Sequence, residues 1–242
     1  MLFPAVPLGV GGANEIGGRF TFPGTYAVRP ATLRAAFMDL ASEFGEQGFR
    51  WIFVVHGHGG PSHNRVLDEA GDFFRDSYGG RMVHLLGLLP DTLAADAVVR
   101  ATVPDAARAE DGFTVHAGMV EHSVILALRP DLVPAGVAQA PSITGRDRPD
   151  LTRIAARPDW PGYFGAPRHA SAELGRRVLE AESGQYVALA LRILDGMDDR
   201  RLGRRADVSR SPDRAAVLRA ATARDSALER RQRAWLARRG RP

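Results

Sequence analysis

The chain contains no cysteine among its 242 residues, which excludes disulfides and thiolate metal sites. It contains no lysine either; all 32 basic residues are arginine. Schiff-base chemistry and a lysine nucleophile or base are therefore excluded. No apolar run is long enough to span a bilayer, so a membrane partner is not expected. The opening residues, Met1-Leu2-Phe3-Pro4-Ala5-Val6-Pro7, lack the basic flank and long apolar stretch of a secretory leader, and a cytoplasmic location is the expectation.

What is present bounds the fold. A length of 242 residues with 45% apolar side chains suits one large α/β domain, or a domain with a tail. Charge is unevenly placed. Residues 196–242 carry fourteen Arg against six Asp or Glu, a net of +8, and the total of +4 leaves −4 for residues 1–195. A basic tail can contact nucleic acid or an acidic partner, but a solvated Arg-rich face is commoner. Nucleic acid ranks last as a partner because Trp235 is the tail's one aromatic, which gives no stacking pattern.

Periodicity divides residues 1–195 into alternating elements. Residues 1–29 are irregular and glycine-rich, with a turn at Phe22-Pro23-Gly24-Thr25. Thr32 can cap a helix carrying Leu33, Ala36, Phe37, Leu40 and Phe44 on one face, with Gly48 as its stop. Trp51-Ile52-Phe53-Val54-Val55 reads as a buried strand of a parallel sheet. A helix follows over residues 64–78, closed by Gly79-Gly80, and residues 82–89 form a second strand candidate. Asp91 or Thr92 could cap a short helix to Val99, and residues 103–112 read as a loop. Phe113-Thr114-Val115 is a third strand candidate, leading to a helix through Leu128 that Pro130 ends. Residues 131–168 read as an extended excursion, Ser171 can cap a long helix, and residues 215–237 have helical composition. The sum is an α/β domain with a mostly parallel sheet over residues 1–195, and an Arg-rich, partly helical or disordered tail over residues 196–242.

In such folds ligands sit at the carboxyl ends of strands. His56, His58 and His116 fall at or just beyond predicted strand ends. The loop His56-Gly57-His58-Gly59-Gly60 has two readings. His58 could ligate a metal through a neutral ring nitrogen, with Gly57, Gly59 and Gly60 letting the backbone approach. Alternatively, the glycines simply turn the chain into the next helix, and exposed amides could bind an anion without metal. His116 could act as a general acid or base with Glu121 orienting it, or be a hydrogen-bonded turn histidine beside a solvated carboxylate. His63 and His122 could join a cluster. His84, inside a strand, reads as a core or cross-strand residue, and His169 as loop structure.

Four segments resemble, in order, those of the creatininase (creatinine amidohydrolase) family. Phe22-Pro23-Gly24-Thr25 with Thr32-Leu33 resembles its FPGT stretch. Gly48-Phe49-Arg50 leading to His56-Gly57-His58-Gly59-Gly60 resembles its strand and NGHGGN loop. Residues 111–123, continued by Leu128-Arg129-Pro130-Asp131-Leu132-Val133, resemble its D-x-HAGE-x-ETS segment. Gly165-Ala166-Pro167 with residues 170–175 resembles its late G-D-P turn and helix. The resemblance implies a three-layer αβα sandwich, often assembled as a hexamer, in which two divalent metals, zinc or manganese, activate water against an amide or cyclic amide carbon. It assigns His58 as a metal ligand and places His116 and Glu121 near the reaction centre; in a rebuilt site of this chain's own, His56 and His122 could join them around one metal.

The sequence departs from the family pattern at named positions. The family's opening E-x-H-G…H-L-P…T-D segment has no counterpart here. His56 stands where Asn is usual, Pro61 where the second Asn is usual, Met119 at the acidic position of HAGE, and His122 at a Thr. A thioether does not replace a carboxylate on zinc or manganese. Three readings follow: a shortened product of a longer gene, a metal-dependent amidohydrolase with a rebuilt histidine-rich site, and a catalytically silent relative serving as a binding or assembly subunit.

Overall fold

The computed structural model describes residues 1–18, 24–88, 94–208 and 215–240. Part of the turn expected at Phe22-Pro23-Gly24-Thr25, and the cap expected at Asp91 or Thr92, lie outside the described residues. In chain order the elements are α1 (Ala13–Ile16), α2 (Pro30–Glu46), β1 (Trp51–Val54), α3 (Pro61–Tyr78), β2 (Arg81–His84), α4 (Ala94–Thr102), α5 (Asp105–Asp111), α6 (Met119–Leu128), α7 (Arg148–Ala155), α8 (Ala172–Leu194), α9 (Arg205–Val208) and α10 (Ala215–Arg238). None of the described helices is long and apolar enough to cross a membrane.

The protein is a mostly helical α/β chain around a small parallel sheet. β1 and β2 pair in parallel, with Trp51 opposite Arg81 and Val54 opposite His84, and α3 makes the crossover between them. α2 packs against α3 through Leu33, Phe37, Ala41 and Gly45, one residue per turn. A Cβ at Gly45 would overlap the Tyr78 ring, so glycine permits that approach. The first apolar core gathers Val10, Leu33, Phe37, Ala41, Val66, Leu67, Ala70, Phe74 and Met82. It joins the N-terminal loop, two helices and a strand in one buried mass. α2 begins at Pro30 with Arg29 as N-cap, two residues before the expected Thr32, because proline is already set for the first helical turn.

Four other expectations need correction. The second strand ends at His84, and Leu85–Leu88 turn as a buried 3₁₀ helix. A Cβ at Gly87 would overlap the His84 imidazole, so the turn folds back onto that ring. Phe113-Thr114-Val115 forms no strand; Phe113 makes a single antiparallel bridge with Gly145. Within residues 103–112 a helix, α5, follows Pro104 and stops at Gly112, whose φ of 59° is in the left-handed range. The excursion over residues 131–168 likewise holds α7, capped by Asp147, which accepts the Asp150 N–H at 2.9 Å.

The second half of the chain is stitched by buried polar side chains. Ser171 caps α8 as expected, accepting the Leu174 N–H at 3.1 Å. Ser123 is fully buried; its hydroxyl accepts the Ser171 N–H at 3.0 Å and donates to the Met119 carbonyl at 2.7 Å. Asp111 is buried and accepts the Ala166 N–H at 2.7 Å. Burial pushes the Asp111 carboxyl above its usual range, and the backbone amides of Ala166 and Met119 pull it back. Asp111→Ala should cost about 2 kcal/mol, measured by urea unfolding at pH 7, because it orphans a buried N–H; an unchanged midpoint would contradict this role.

The described part of the Arg-rich segment is seated on the sheet and α3. Arg204 donates to both oxygens of Asp72, at 2.9 and 2.7 Å, and its Nε lies 3.9 Å from Asp68. Arg81 pairs with Asp198 and Asp199. α10 returns to the start of α2, where Arg29 meets Glu229 at 3.1 Å and Gln232 at 3.0 Å.

Candidate active site: a histidine cluster at the strand ends

β1 releases the chain at Val54, and residues 55–60 cross the sheet edge before Pro61 opens α3. Because the strands are parallel and in register, the end of β1 lies beside His84 at the end of β2. His56 Nε2 is 3.1 Å from His84 Nδ1, and the two rings stack with centroids 5.4 Å apart. On its other side His84 Nε2 is 2.9 Å from Asp68 Oδ1, on the inner face of α3. His63, in the first turn of α3, sets its ring edge-on to both His56 and His58, each at 5.0 Å.

Val10 braces the cluster from the N-terminal loop. Its N–H donates to His63 Nδ1 at 3.3 Å, and its carbonyl accepts from His58 Nε2 at 2.9 Å. Asn64 ties the turn together by donating to the Gly60 carbonyl at 2.8 Å and to the His58 carbonyl at 3.4 Å. Gly60 leaves room for the His58 ring, which an added Cβ would overlap. A Cβ at Gly57 or Gly59 would meet open space, so the loop is approachable there. Two buried acceptors in this turn, His56 Nδ1 and Asn64 Oδ1, have no hydrogen-bond partner among the described residues.

Two of the rings, His56 and His63, are held neutral. The His56 pKa is pushed down to about 3, first by burial and then by His84, His63 and His58, against a smaller upward pull from the His58 backbone. His63 is lowered to about 4 by burial, then by His58 and His84.

His116 comes from the loop before α6 and is also lowered, first by burial; Glu121 opposes the shift and His58 adds to it. It is thus within electrostatic reach of the loop. The backbone there is unusual: Ala117 has φ of 52°, the positive-φ non-glycine among the described residues. The Phe164 N–H donates to the His116 carbonyl at 2.9 Å, and the imidazole lies 6.5 Å from the Trp160 ring. Glu121 is exposed and accepts the Gly118 N–H at 3.0 Å, closing the cap of α6. His122 Nδ1 donates to the Gly118 carbonyl at 3.0 Å. Met119 is core, 1% exposed, packed with Ala95, Leu174 and Val178.

The structure therefore gathers His56, His58, His63 and His84, sets His116 within their field, and leaves Glu121 and His122 bonded to the start of α6. Sequence reasoning assigned His84 to the core and overlooked Asp68. The available signal was a polar line, Asn64, Asp68 and Asp72, at i, i+4 spacing beside the apolar face of α3. The donors do not fit a resident metal pair. Among the described residues no group of three or more His, Cys, Asp or Glu is placed to hold a metal ion. A catalytic zinc typically takes three protein ligands.

Comparison with known proteins agrees with the order of these elements. The model of the creatininase family, described as creatinine amidohydrolase, matches residues 1–190. A creatinine amidohydrolase of Pseudomonas putida is 29% identical over 197 residues, covering 79% of this chain and 74% of that protein. A solved structure of creatinine amidohydrolase (creatininase) aligns with a TM-score of 0.56 at 24% identity, over 79% of this chain and 73% of that one. The solved structure named Creatininase Mn aligns with a TM-score of 0.56 at 24% identity, over 79% and 74%. Set beside a family match that spans residues 1–190, these likenesses in fold complete the assignment: the chain belongs to the creatininase family.

Proposed function

We propose that this chain acts on the C–N bond of a small, non-peptide amide, of the cyclic kind, at the histidine loop of residues 56–60. The observation that carries this reading is the gathering of His56, His58, His63 and His84 at adjacent ends of parallel strands, with His63 and His84 buried, His56 half-buried and His58 exposed on an approachable backbone. Family membership supplies the reaction class. Hydrolysis of an amide needs a group that takes a proton from the attacking water and returns it to the leaving nitrogen. We assign that to His116, whose lowered pKa leaves it neutral and able to accept at pH 7. His58, with Nε2 committed to Val10, presents its other nitrogen at the exposed loop. Glu121 acts on His116 through charge.

Zinc or manganese is implied by the family resemblance, and the donors of this chain do not supply a pair of such sites. No step is routed through a metal here. The second reading, a catalytically silent relative that binds an amide or an assembly partner, is favoured by one observation. Met119 is buried in the core and Glu121 is spent on a helix cap, so neither takes up the family's acidic role. We also infer a three-layer αβα arrangement, with residues 1–195 as the family domain and 196–242 as an appended segment. Homo-oligomeric assembly is supported by Val187, Leu191 and Leu194, which are exposed in one stripe along α8.

The test is hydrolysis of creatinine and of cyclic ureides by the purified chain, as isolated and after incubation with zinc or manganese, with metal content measured alongside. His116→Ala should lower the rate by about a hundredfold, and His58→Ala should lower it too, while costing about 1 kcal/mol of stability through the lost bond to the Val10 carbonyl. A folded chain with no turnover under any of these conditions would favour the silent relative.

A further inference from the structure

The polar chain behind His56 fixes which of its nitrogens carries a proton. Asp68 Oδ1 can only accept, so His84 donates through Nε2, at 2.9 Å. Where His84 carries its proton on Nε2 alone, its lone pair is on Nδ1 and His56 donates to it through Nε2, at 3.1 Å. That leaves His56 Nδ1 unprotonated and buried; it makes no hydrogen bond to a described residue, and the nearby His58 backbone is the group that would favour a proton on it. The arrangement is held on every side. The His84 side chain is 3% exposed and Asp68 9%. Gly87 is packed against the His84 ring where no Cβ would fit. Arg204 lies 3.9 Å from Asp68 Oδ1 and offsets part of its charge.

We propose that Asp68 and His84 are positioning residues, and that the chain Asp68–His84–His56 locks His56 in the Nε2–H tautomer, leaving Nδ1 as a buried hydrogen-bond acceptor within the histidine cluster. A carboxylate behind an imidazole is the usual way to set a histidine's tautomer, and here the control passes through a second ring. The tautomer does not depend on the amide reading above.

The experiment is long-range ¹H–¹⁵N correlation NMR of the uniformly ¹⁵N-labelled full chain at pH 7, with the His56 and His84 ring signals assigned by single His→Gln variants. The expected wild-type result is Nε2 protonated and Nδ1 bare on both rings. Asp68→Asn replaces an acceptor by a side chain that can donate to His84 Nε2. The same exchange behind a catalytic histidine is known to select the wrong tautomer. In a folded Asp68→Asn chain the His56 Nδ1 signal should shift wholly or partly to the protonated form. A wild-type His56 with Nδ1–H directed at the His58 carbonyl, or a His84 protonated on both nitrogens, would overturn the proposal. So would a folded Asp68→Asn chain whose His56 keeps its tautomer. If that variant does not fold, the wild-type spectrum alone decides. Because no substrate is present, failure of the tautomer and failure of amide turnover are read separately.

Discussion

Lowering the pH from 7 to 4 is expected to strip about 3 kcal/mol from the stability of this chain through His63 alone. His63 is 6% exposed, with its pKa lowered from 6.5 to about 4. Between those values the unfolded chain holds a proton on this residue that the folded chain does not. Stability therefore rises with pH across this window, is fully present above about 6.5, and is lost as the pH falls toward 4. Each pKa unit is worth about 1.4 kcal/mol, which sets the magnitude. His56, lowered to about 3, extends the loss to more acid conditions with the same sign. The two are not additive, since each ring's charge acts on the other. Asp72, held low by Arg204, also loses its contribution as it is protonated in acid. Asp111 works in the opposite direction, because burial raises its carboxyl. Against a typical total of about 5–15 kcal/mol for a domain, the histidine contribution is large. Urea unfolding at pH 7, 5.5 and 4 reads it as a falling midpoint. A midpoint independent of pH across this range would show that the imidazoles are not buried as described. His63→Phe or His63→Leu, if folded, should flatten the dependence.

The same histidines show what a sequence can and cannot convey. The run of residues 51–55 is continuous, apolar and flanked by helical periodicity, and residues 51–54 of it form a strand of a parallel pair, though Trp51 and Val55 are exposed and the strand is not the buried one expected. The loop after it was legible because glycines and histidines at a strand end have few structural explanations. The depth of the site was not. His84 lies in a run that reads as plain core, and its partner Asp68 is one acid on a helix with Asp72, Glu69 and Asp76 close by. Only register, with Val54 opposite His84, turns two distant segments into neighbours. The short helices α5 and α7 were missed for another reason. Their starts depend on Pro104 and on the Asp147 cap, while their interiors carry too few apolar residues for a 3.6-residue period to stand out. Phe113-Thr114-Val115 failed as a strand for lack of a neighbour; β propensity has little force without a pairing edge. Glu121 was expected to serve His116, yet its first-turn position on α6 let the cap claim its hydrogen bond.

Gly175→Ala is expected to destabilise the chain by about 3 kcal/mol, against the usual sign of that substitution in a helix. On an exposed helical surface, alanine in place of glycine gains about 1 kcal/mol. Gly175 lies instead where α8 crosses α6, and an added Cβ would overlap the Ser123 carbonyl oxygen and approach the Val124 nitrogen. These are backbone atoms, so no side chain can swing aside, and relief requires moving one helix off the other. That movement would also strain the Ser123 bridge between the Met119 carbonyl and the Ser171 N–H, at the N-cap of α8. It would open the apolar contact of Met119 with Leu174 and Val178. Gly184, nine residues further along the same helix, provides the control. It is exposed, and a Cβ there meets nothing within 4 Å. Gly184→Ala should therefore stabilise the chain by about 1 kcal/mol. Thermal or urea unfolding of the two variants should move in opposite directions. Equal shifts would mean that the two helices do not cross at Gly175 as closely as the structure places them.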